Sequence, residues 1–127
     1  MTQSNLERAF LTRWRQLAPD ADAPIEQYRW AAAEVGLGPG LRKRLEAAGL
    51  RDWRLDFAWL TPRQVAVELQ GGTWTRGRHV RGAGYREDCE RLNALQARGW
   101  RVFYVTADML RDDPAGVVAM VEAALAR

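Results

Sequence analysis

Hydrophobic spacing near the N-terminus predicts an amphipathic helix. Ser4 and Glu7 have the spacing of a capping box, in which each side chain bonds the other residue's backbone N–H where a helix begins. The apolar residues that follow recur every three or four positions, as one face of a helix requires: Leu6, Phe10, Trp14 and Leu17. Pro19 lies just beyond this stripe. We therefore predict a first helix that opens at Ser4 and packs its apolar stripe against a core.

The next segment, from Pro24 to Val35, has two interpretations. A proline at a first-turn position, three consecutive alanines and Gly36 after the end favour a helix. The residues at 27–30 also fit a short strand. A glycine-proline-glycine break at 38–40 separates this segment from a short basic helix predicted over Leu41 to Ala48 and ended by Gly49.

After Trp53 the apolar pattern changes from the helical period to strict alternation. Two alternating runs flank a turn at Thr61–Arg63, which predicts a β-hairpin. One face of this hairpin is apolar and is predicted to lie on the core: Leu55, Phe57, Trp59, Val65, Val67 and Leu69.

The C-terminal half predicts two helices around one further strand. A helix is expected over about Tyr85 to Arg98, with three inward residues: Cys89, Leu92 and Leu95. Gly99 ends it, and a strand of buried type follows from Trp100 to Thr106. Pro114 starts a last helix whose apolar face is Val117, Val118, Val121 and Leu125. The order of elements predicts a mixed α/β domain, a sheet flanked by helices, as a single domain over 1–127.

Composition narrows the class of protein. The chain has 127 residues, of which 47% are hydrophobic and 28% charged, so it is long enough for one folded domain with a real core. No apolar run approaches the roughly 18 residues of a membrane helix, and the N-terminus lacks a signal-peptide pattern. The single cysteine excludes an internal disulfide and a cysteine-based zinc site. We expect a soluble cytoplasmic domain without a membrane partner.

The net charge of +3 is concentrated in one stretch. Residues 71–86 carry +4 and no acidic residue, whereas the rest of the chain sums to −1. The stretch contains five glycines, one histidine and a set of arginines and aromatics: Arg76, Arg78, Arg81, Arg86, Trp74, His79 and Tyr85. Guanidinium groups pair with phosphates and flat rings stack on bases, which predicts a nucleic-acid-binding loop. Packing is an equally good interpretation of Trp74 and Tyr85.

Two carboxylates fall opposite each other on the predicted hairpin. A turn at 61–63 places Ala58 opposite Ala66 and Asp56 opposite Glu68, with Gln70 further along the same face. Opposed carboxylates repel each other unless a cation or a shared proton relieves them. A hard divalent ion such as Mg²⁺ suits the pair, because it takes a few carboxylate oxygens and keeps waters. The alternative is a polar, solvated outer face of the sheet.

These motifs together resemble the PD-(D/E)xK nuclease superfamily. The resemblance rests on Asp56 in one strand, Glu68-Leu69-Gln70 in the next, and the helix and strand that follow. Small phage-type members that resemble Holliday-junction resolvases and very-short-patch-repair endonucleases are closer still. The stretches that carry this likeness are 53–59, 67–74, 77–82, 88–93 and 99–102. The resemblance implies a restriction-endonuclease-like core, in which 36–51 is an insertion relative to compact members.

The resemblance also implies roles for individual residues. Asp56, Glu68 and the backbone carbonyl of Leu69 would bind Mg²⁺, with Mn²⁺ as a substitute, and Glu7 would add a carboxylate near the metal. Its place in the capping box is a sufficient structural explanation of Glu7 as well. Gln70 stands where many members carry lysine; it would orient the attacking water without offsetting charge on the phosphate. Independently of the resemblance, His79 is the single histidine and falls in the basic stretch, where contact with a phosphate or proton transfer is expected; a structural role is the alternative.

The expected activity is therefore that of a Mg²⁺-dependent endodeoxyribonuclease. The resemblance favours structure-selective cleavage of branched DNA in recombination or repair, by a phage or bacterial protein. Cutting two strands symmetrically implies a homodimer. Two alternatives stay open: a mismatch-type or nonspecific nickase of the same superfamily, and a catalytically silent nucleic-acid-binding module.

Overall fold

A computed structural model describes residues 4–71 and 83–127 of the chain. Four strands are described: β1 Ile25–Tyr28, β2 Leu55–Trp59, β3 Val65–Gln70 and β4 Arg101–Thr106. Six helices accompany them: α1 Asn5–Leu17, α2 Trp30–Val35, α3 Leu41–Ala47, α4 Ala83–Ala97, α5 Ala107–Asp112 and α6 Pro114–Ala126. The mixed α/β class predicted from the sequence is confirmed.

The strands form one mixed sheet in the order β1-β2-β3-β4. β1 and β2 pair antiparallel, as do β2 and β3, whereas β4 runs parallel to β3. The hairpin is confirmed in its predicted register, with Ala58 opposite Ala66. A parallel pair needs a crossover connection, and α4 lies within it.

Helices cover both faces of the sheet. On one face, α1, α5 and α6 pack on the larger core, where the ring centroid of Phe10 lies 5.1 Å from that of Phe57. On the other, α2, α3 and α4 bury Ala58 and Ala66 completely. The solvated outer face considered as an alternative is therefore wrong, because the small alanines allow helices to pack there.

The predicted N-terminal helix is confirmed, including its capping box at Ser4 and Glu7. Phe10 and Trp14 are buried as expected, but Leu17 is 42% exposed because it lies at the last turn, and Leu11 is buried in addition. The ambiguous segment from Pro24 contains both predicted structures in succession, the strand β1 and then the helix α2.

Other predictions from spacing need correction. Leu55 was expected to share a face with Phe57, but it packs with Ala58 in the core on the opposite face. Strict alternation therefore fails at Asp56, between Leu55 and Phe57. In α4, Leu95 is buried, but Leu92 is 37% exposed. β4 was predicted to be buried throughout; as an edge strand of the described sheet it buries only Val105 fully. The short helix α5 was not predicted; Thr106 caps it by accepting a hydrogen bond from the Met109 N–H.

None of the helices in the described part of the chain is long and apolar enough to span a membrane.

Candidate metal centre

The two predicted carboxylates lie where the hairpin ladder stops. Regular pairing of β2 with β3 extends to Phe57 and Val67, and the next position holds Asp56 and Glu68. There the side chains bond the opposite backbone: the Asp56 N–H donates to Glu68 Oε2 at 2.7 Å, and the Leu69 N–H donates to Asp56 Oδ2 at 2.8 Å. The structure therefore brings Asp56 and Glu68 together and fixes both carboxyl groups through main-chain donors.

Burial and mutual repulsion disturb the charge of this pair. Glu68 is 7% exposed, and burial, with the charge of Asp56 as the second cause, raises the pKa of its carboxyl to about 7. Burial also raises the pKa of Asp56, whose carboxyl group interacts directly with that of Glu68. One shared proton relieves such a pair, and a divalent cation would relieve it as well.

Gln27 interrupts the sheet on the other side of Asp56. The pairs Glu26–Phe57 and Tyr28–Leu55 are regular, but Gln27 between them has a left-handed backbone with φ of +52°. Non-glycine residues avoid this conformation, and the cost is generally about 1 kcal/mol or more. Its side-chain amide donates to Glu7 Oε2 and also interacts with the Asp56 carboxyl group, where it opposes the rise in pKa. The sheet is thus irregular at Asp56 on both sides.

Glu7 completes the capping box and also lies beside the carboxylate pair. Its side chain is 8% exposed, and Oε1 accepts the Ser4 N–H at 2.9 Å within the capping box. Oε2 accepts from Gln27, whose amide also interacts with Asp56. Helix α1 therefore places a third carboxylate beside Asp56 and Glu68, and the side-chain amide of Gln27 lies between Glu7 and Asp56.

A partly buried arginine from α4 contacts the pair. Arg91 Nη1 donates to Glu68 Oε1 at 2.9 Å, and the two side chains are 16% and 9% exposed. The Tyr104 hydroxyl on β4 lines the same cleft as Arg91, and burial raises the pKa of this hydroxyl. Both oxygens of Glu68 therefore have a donor.

These groups open into a cleft of about 720 Å³ between β2, β3, β4 and α4. Leu69 and the half-buried Gln70 line it, as does Tyr85, which is 61% exposed rather than packed. Arg86 is exposed beside the cleft and forms an ion pair with Glu90 at 3.7 Å. The other predicted loop residues lie outside the described residues: Trp74, Arg76, Arg78, His79 and Arg81.

The donor set fits a hard divalent cation. Asp56 and Glu68 offer carboxylate oxygens to the cleft, and Mg²⁺ characteristically binds through one or two carboxylates while keeping waters. Over residues 4–71 and 83–127, no group of three or more Asp, Glu, His or Cys side chains converges to hold a metal ion. A cation at this site would therefore take its remaining ligands from Leu69, water or substrate.

Three residues of the site had no role in the sequence prediction: Gln27, Arg91 and Tyr104. Arg91 did leave a signal, since it lies four positions before the buried Leu95 and so places a charge on the inward face of α4. Gln27 left none, because its role depends on a backbone conformation that the apolar pattern does not encode.

Comparison with known proteins supplies relatives but no activity. The chain is 30% identical over 113 residues to two uncharacterised proteins of Mycobacterium tuberculosis, from strains CDC 1551 and H37Rv. The alignment covers 84% of this chain but only 40% of each relative, so the chain spans well under half of their length. No protein-family model matches the chain, and no solved structure matches it significantly.

Proposed function

We propose that the chain is a metal-dependent DNA endonuclease of the PD-(D/E)xK superfamily with a restriction-endonuclease-like core. One observation carries the proposal: Asp56 and Glu68 meet at the point where two antiparallel strands stop pairing, and both open into one cleft. A fold seldom buries two adjacent carboxyl groups without a function, because their repulsion and desolvation cost stability.

The proposed reaction adds water across one P–O bond of the DNA backbone. The water oxygen forms the new bond to phosphorus, the bond to the sugar oxygen breaks, and the departing oxygen takes up a proton. Mg²⁺, or Mn²⁺ in its place, would activate the water and neutralise charge on the phosphate. Asp56 and Glu68 would hold the cation together with the Leu69 carbonyl, Glu7 would add its charge beside the pair, and Gln70 would orient the water.

The substrate class rests on charge and on the resemblance. The +4 stretch at 71–86 follows β3 directly in the sequence, after Gln70, which lines the cleft. In the proposal, Arg76, Arg78, Arg81 and Arg86 grip flanking phosphates, His79 contacts a phosphate, and Trp74 and Tyr85 stack on bases. Branched DNA is the proposed substrate, cut by a homodimer in recombination or repair in a bacterial cytoplasm, by a host or phage protein.

Gln70 favours a second candidate, a nucleic-acid-binding module that retains the fold without the chemistry. A neutral amide in the third motif position removes a cation from the site, and Glu68 already has donors on both oxygens. This module would bind branched DNA without cutting it. A mismatch-type or nonspecific nickase of the same superfamily would cut, but without preference for a junction.

The test incubates the protein with a labelled four-way junction, a linear duplex and single strands, in Mg²⁺ or EDTA. We expect Mg²⁺-dependent cutting of the junction, reduced at least about 100-fold in Asp56→Asn and Glu68→Gln. Glu122→Gln is the matched control, since it removes an exposed carboxylate on α6 outside the cleft. Binding without cutting supports the silent module, and equal cutting of all substrates supports the nickase.

A further inference from the structure

The cation that faces the carboxylate pair comes from a helix rather than from the strand motif. Arg91 lies on α4, and its guanidinium contacts Glu68 Oε1 at 2.9 Å. Of the ion pairs between described residues, this is the one that includes a carboxylate of the proposed centre. Arg54 also lines the cleft, but its charge acts on Asp52.

The burial of Arg91 needs an explanation beyond stability. Its side chain is 16% exposed, whereas Arg51 and Arg86, which also form ion pairs, are 64% and 81% exposed. Desolvating two opposite charges costs about as much as their attraction returns, so a buried ion pair is weak grounds for a purely structural role. A functional role accounts for the position better.

Chemistry at the centre needs such a cation. A phosphate under attack gathers negative charge, and a neutral glutamine at position 70 offers none to offset it. Arginine is always protonated, and its planar fork of five N–H donors matches phosphate oxygens. Arg91 and Gln70 line the same cleft, so the missing charge is present on a different element.

We propose that Arg91 is the phosphate-binding cation of the site, replacing the lysine that the strand motif lacks. Without metal it holds Glu68; when a divalent cation occupies the carboxylate pair, its guanidinium exchanges Glu68 for a phosphate oxygen of the substrate. The inference rests on the proposed nuclease function. It predicts opposite effects of Arg91 on two quantities. Arg91 lowers the affinity for the metal, because it competes for Glu68, and it raises the rate of cleavage.

The test compares Arg91→Met and Arg91→Lys with the wild-type chain. Mn²⁺ binding to DNA-free protein is measured by titration calorimetry at pH 8.5, and cleavage of a four-way junction is measured under single turnover. We expect Arg91→Met to bind Mn²⁺ roughly tenfold more tightly, because a competing positive charge is gone, and to cleave about 100-fold more slowly. Arg91→Lys is expected to recover part of the cleavage rate, since it restores the charge without the fork.

Arg98→Met is the matched control. Arg98 forms a comparable ion pair with Glu34 beyond the end of α4 and outside the cleft. Its loss should lower stability without changing Mn²⁺ affinity or cleavage. Far-UV circular dichroism checks the fold of each variant, and Arg91→Lys carries the comparison if Arg91→Met does not fold.

The outcomes of this test separate the role of Arg91 from the proposed nuclease function. If wild type cuts and Arg91→Met cuts equally fast, the inference is wrong while the nuclease proposal stands. If Arg91→Met loses Mn²⁺ affinity together with cleavage, Arg91 only supports Glu68, and the inference is again wrong. A wild-type chain that cuts no DNA in Mg²⁺ overturns the proposed function and the inference with it.

Discussion

The two ends of the β2–β3 hairpin differ in what holds the strands together. Near the turn, Ala58 pairs with Ala66 and Trp59 with Val65, through a regular ladder whose side chains are buried and apolar. One step beyond Phe57 and Val67, side chains of Asp56 and Glu68 take over the bonding to the opposite backbone. The same two strands thus provide a rigid core at one end and a charged, irregular site at the other.

This difference shows how a small domain positions unfavourable chemistry. The apolar end fixes strand position through packing, which tolerates no shift without losing contacts. The charged end can then hold two repelling carboxyl groups and a left-handed Gln27 that local preferences disfavour. If this division holds, changes at the two ends should affect stability with opposite sign.

The largest effect is expected at the apolar end. Phe57 has no solvent exposure and packs against Phe10, so Phe57→Ala should lower the free energy of unfolding by about 3 to 5 kcal/mol. Urea denaturation at pH 7 measures it. Leu60→Ala is the control, since Leu60 is 40% exposed just past β2 and its truncation should cost well under 1 kcal/mol. Equal losses in both variants would show that the hairpin is not anchored at this end.

The sequence predicts the apolar end well and the charged end only in part. Alternation and one turn determine the register that sets Ala58 opposite Ala66, and the same count places Asp56 near Glu68. The alternating pattern records which face of each strand is buried, and burial of one face sets the register of the two strands. The alternating pattern alone therefore predicts both the hairpin and the proximity of Asp56 to Glu68.

What the sequence did not predict depends on tertiary contacts. The φ of +52° at Gln27 accompanies a side-chain hydrogen bond to Glu7 and an interaction with Asp56, and both residues lie far away in the chain. The spacing of Arg91 to Leu95 places it on the inward face of α4, but its contact with Glu68 depends on the crossover connection that returns α4 over the sheet. Leu55 lies on the opposite face from the one that strict alternation predicts, because the sheet is irregular at the neighbouring Asp56.

The second effect comes from the pH dependence of the charged end. The Glu68 carboxyl has an ordinary pKa of 4.5 and a folded-state pKa of about 7, so the folded chain binds more protons between these values. Its contribution to stability is complete below about pH 4.5 and is lost as pH rises through 7. In EDTA, the free energy of unfolding should therefore fall by up to about 3 kcal/mol between pH 5 and pH 8.

Glu68→Gln separates this effect from other titrations. An amide cannot ionise, so the variant should lose most of the decrease and be more stable than wild type at pH 8. Glu34 and Asp52 have lowered pKa values through Arg98 and Arg29, so they change stability in the opposite direction and only at acid pH. The control Glu122→Gln should keep the wild-type slope. A wild-type chain whose stability does not change from pH 5 to pH 8 would contradict the buried, repelling pair.

The smallest effect isolates the backbone of Gln27. Glycine adopts a φ of +52° without strain and alanine does not, so Gln27→Gly should be more stable than Gln27→Ala by about 1 kcal/mol. Both variants lose the hydrogen bond to Glu7 and the interaction with Asp56, so the difference in their stability reports the backbone alone. Gln96, exposed on α4, is the control, because alanine there should exceed glycine by roughly 0.5 to 1 kcal/mol. If alanine is also better at position 27, the left-handed conformation is not what distinguishes the charged end, and the irregularity there depends on side chains alone.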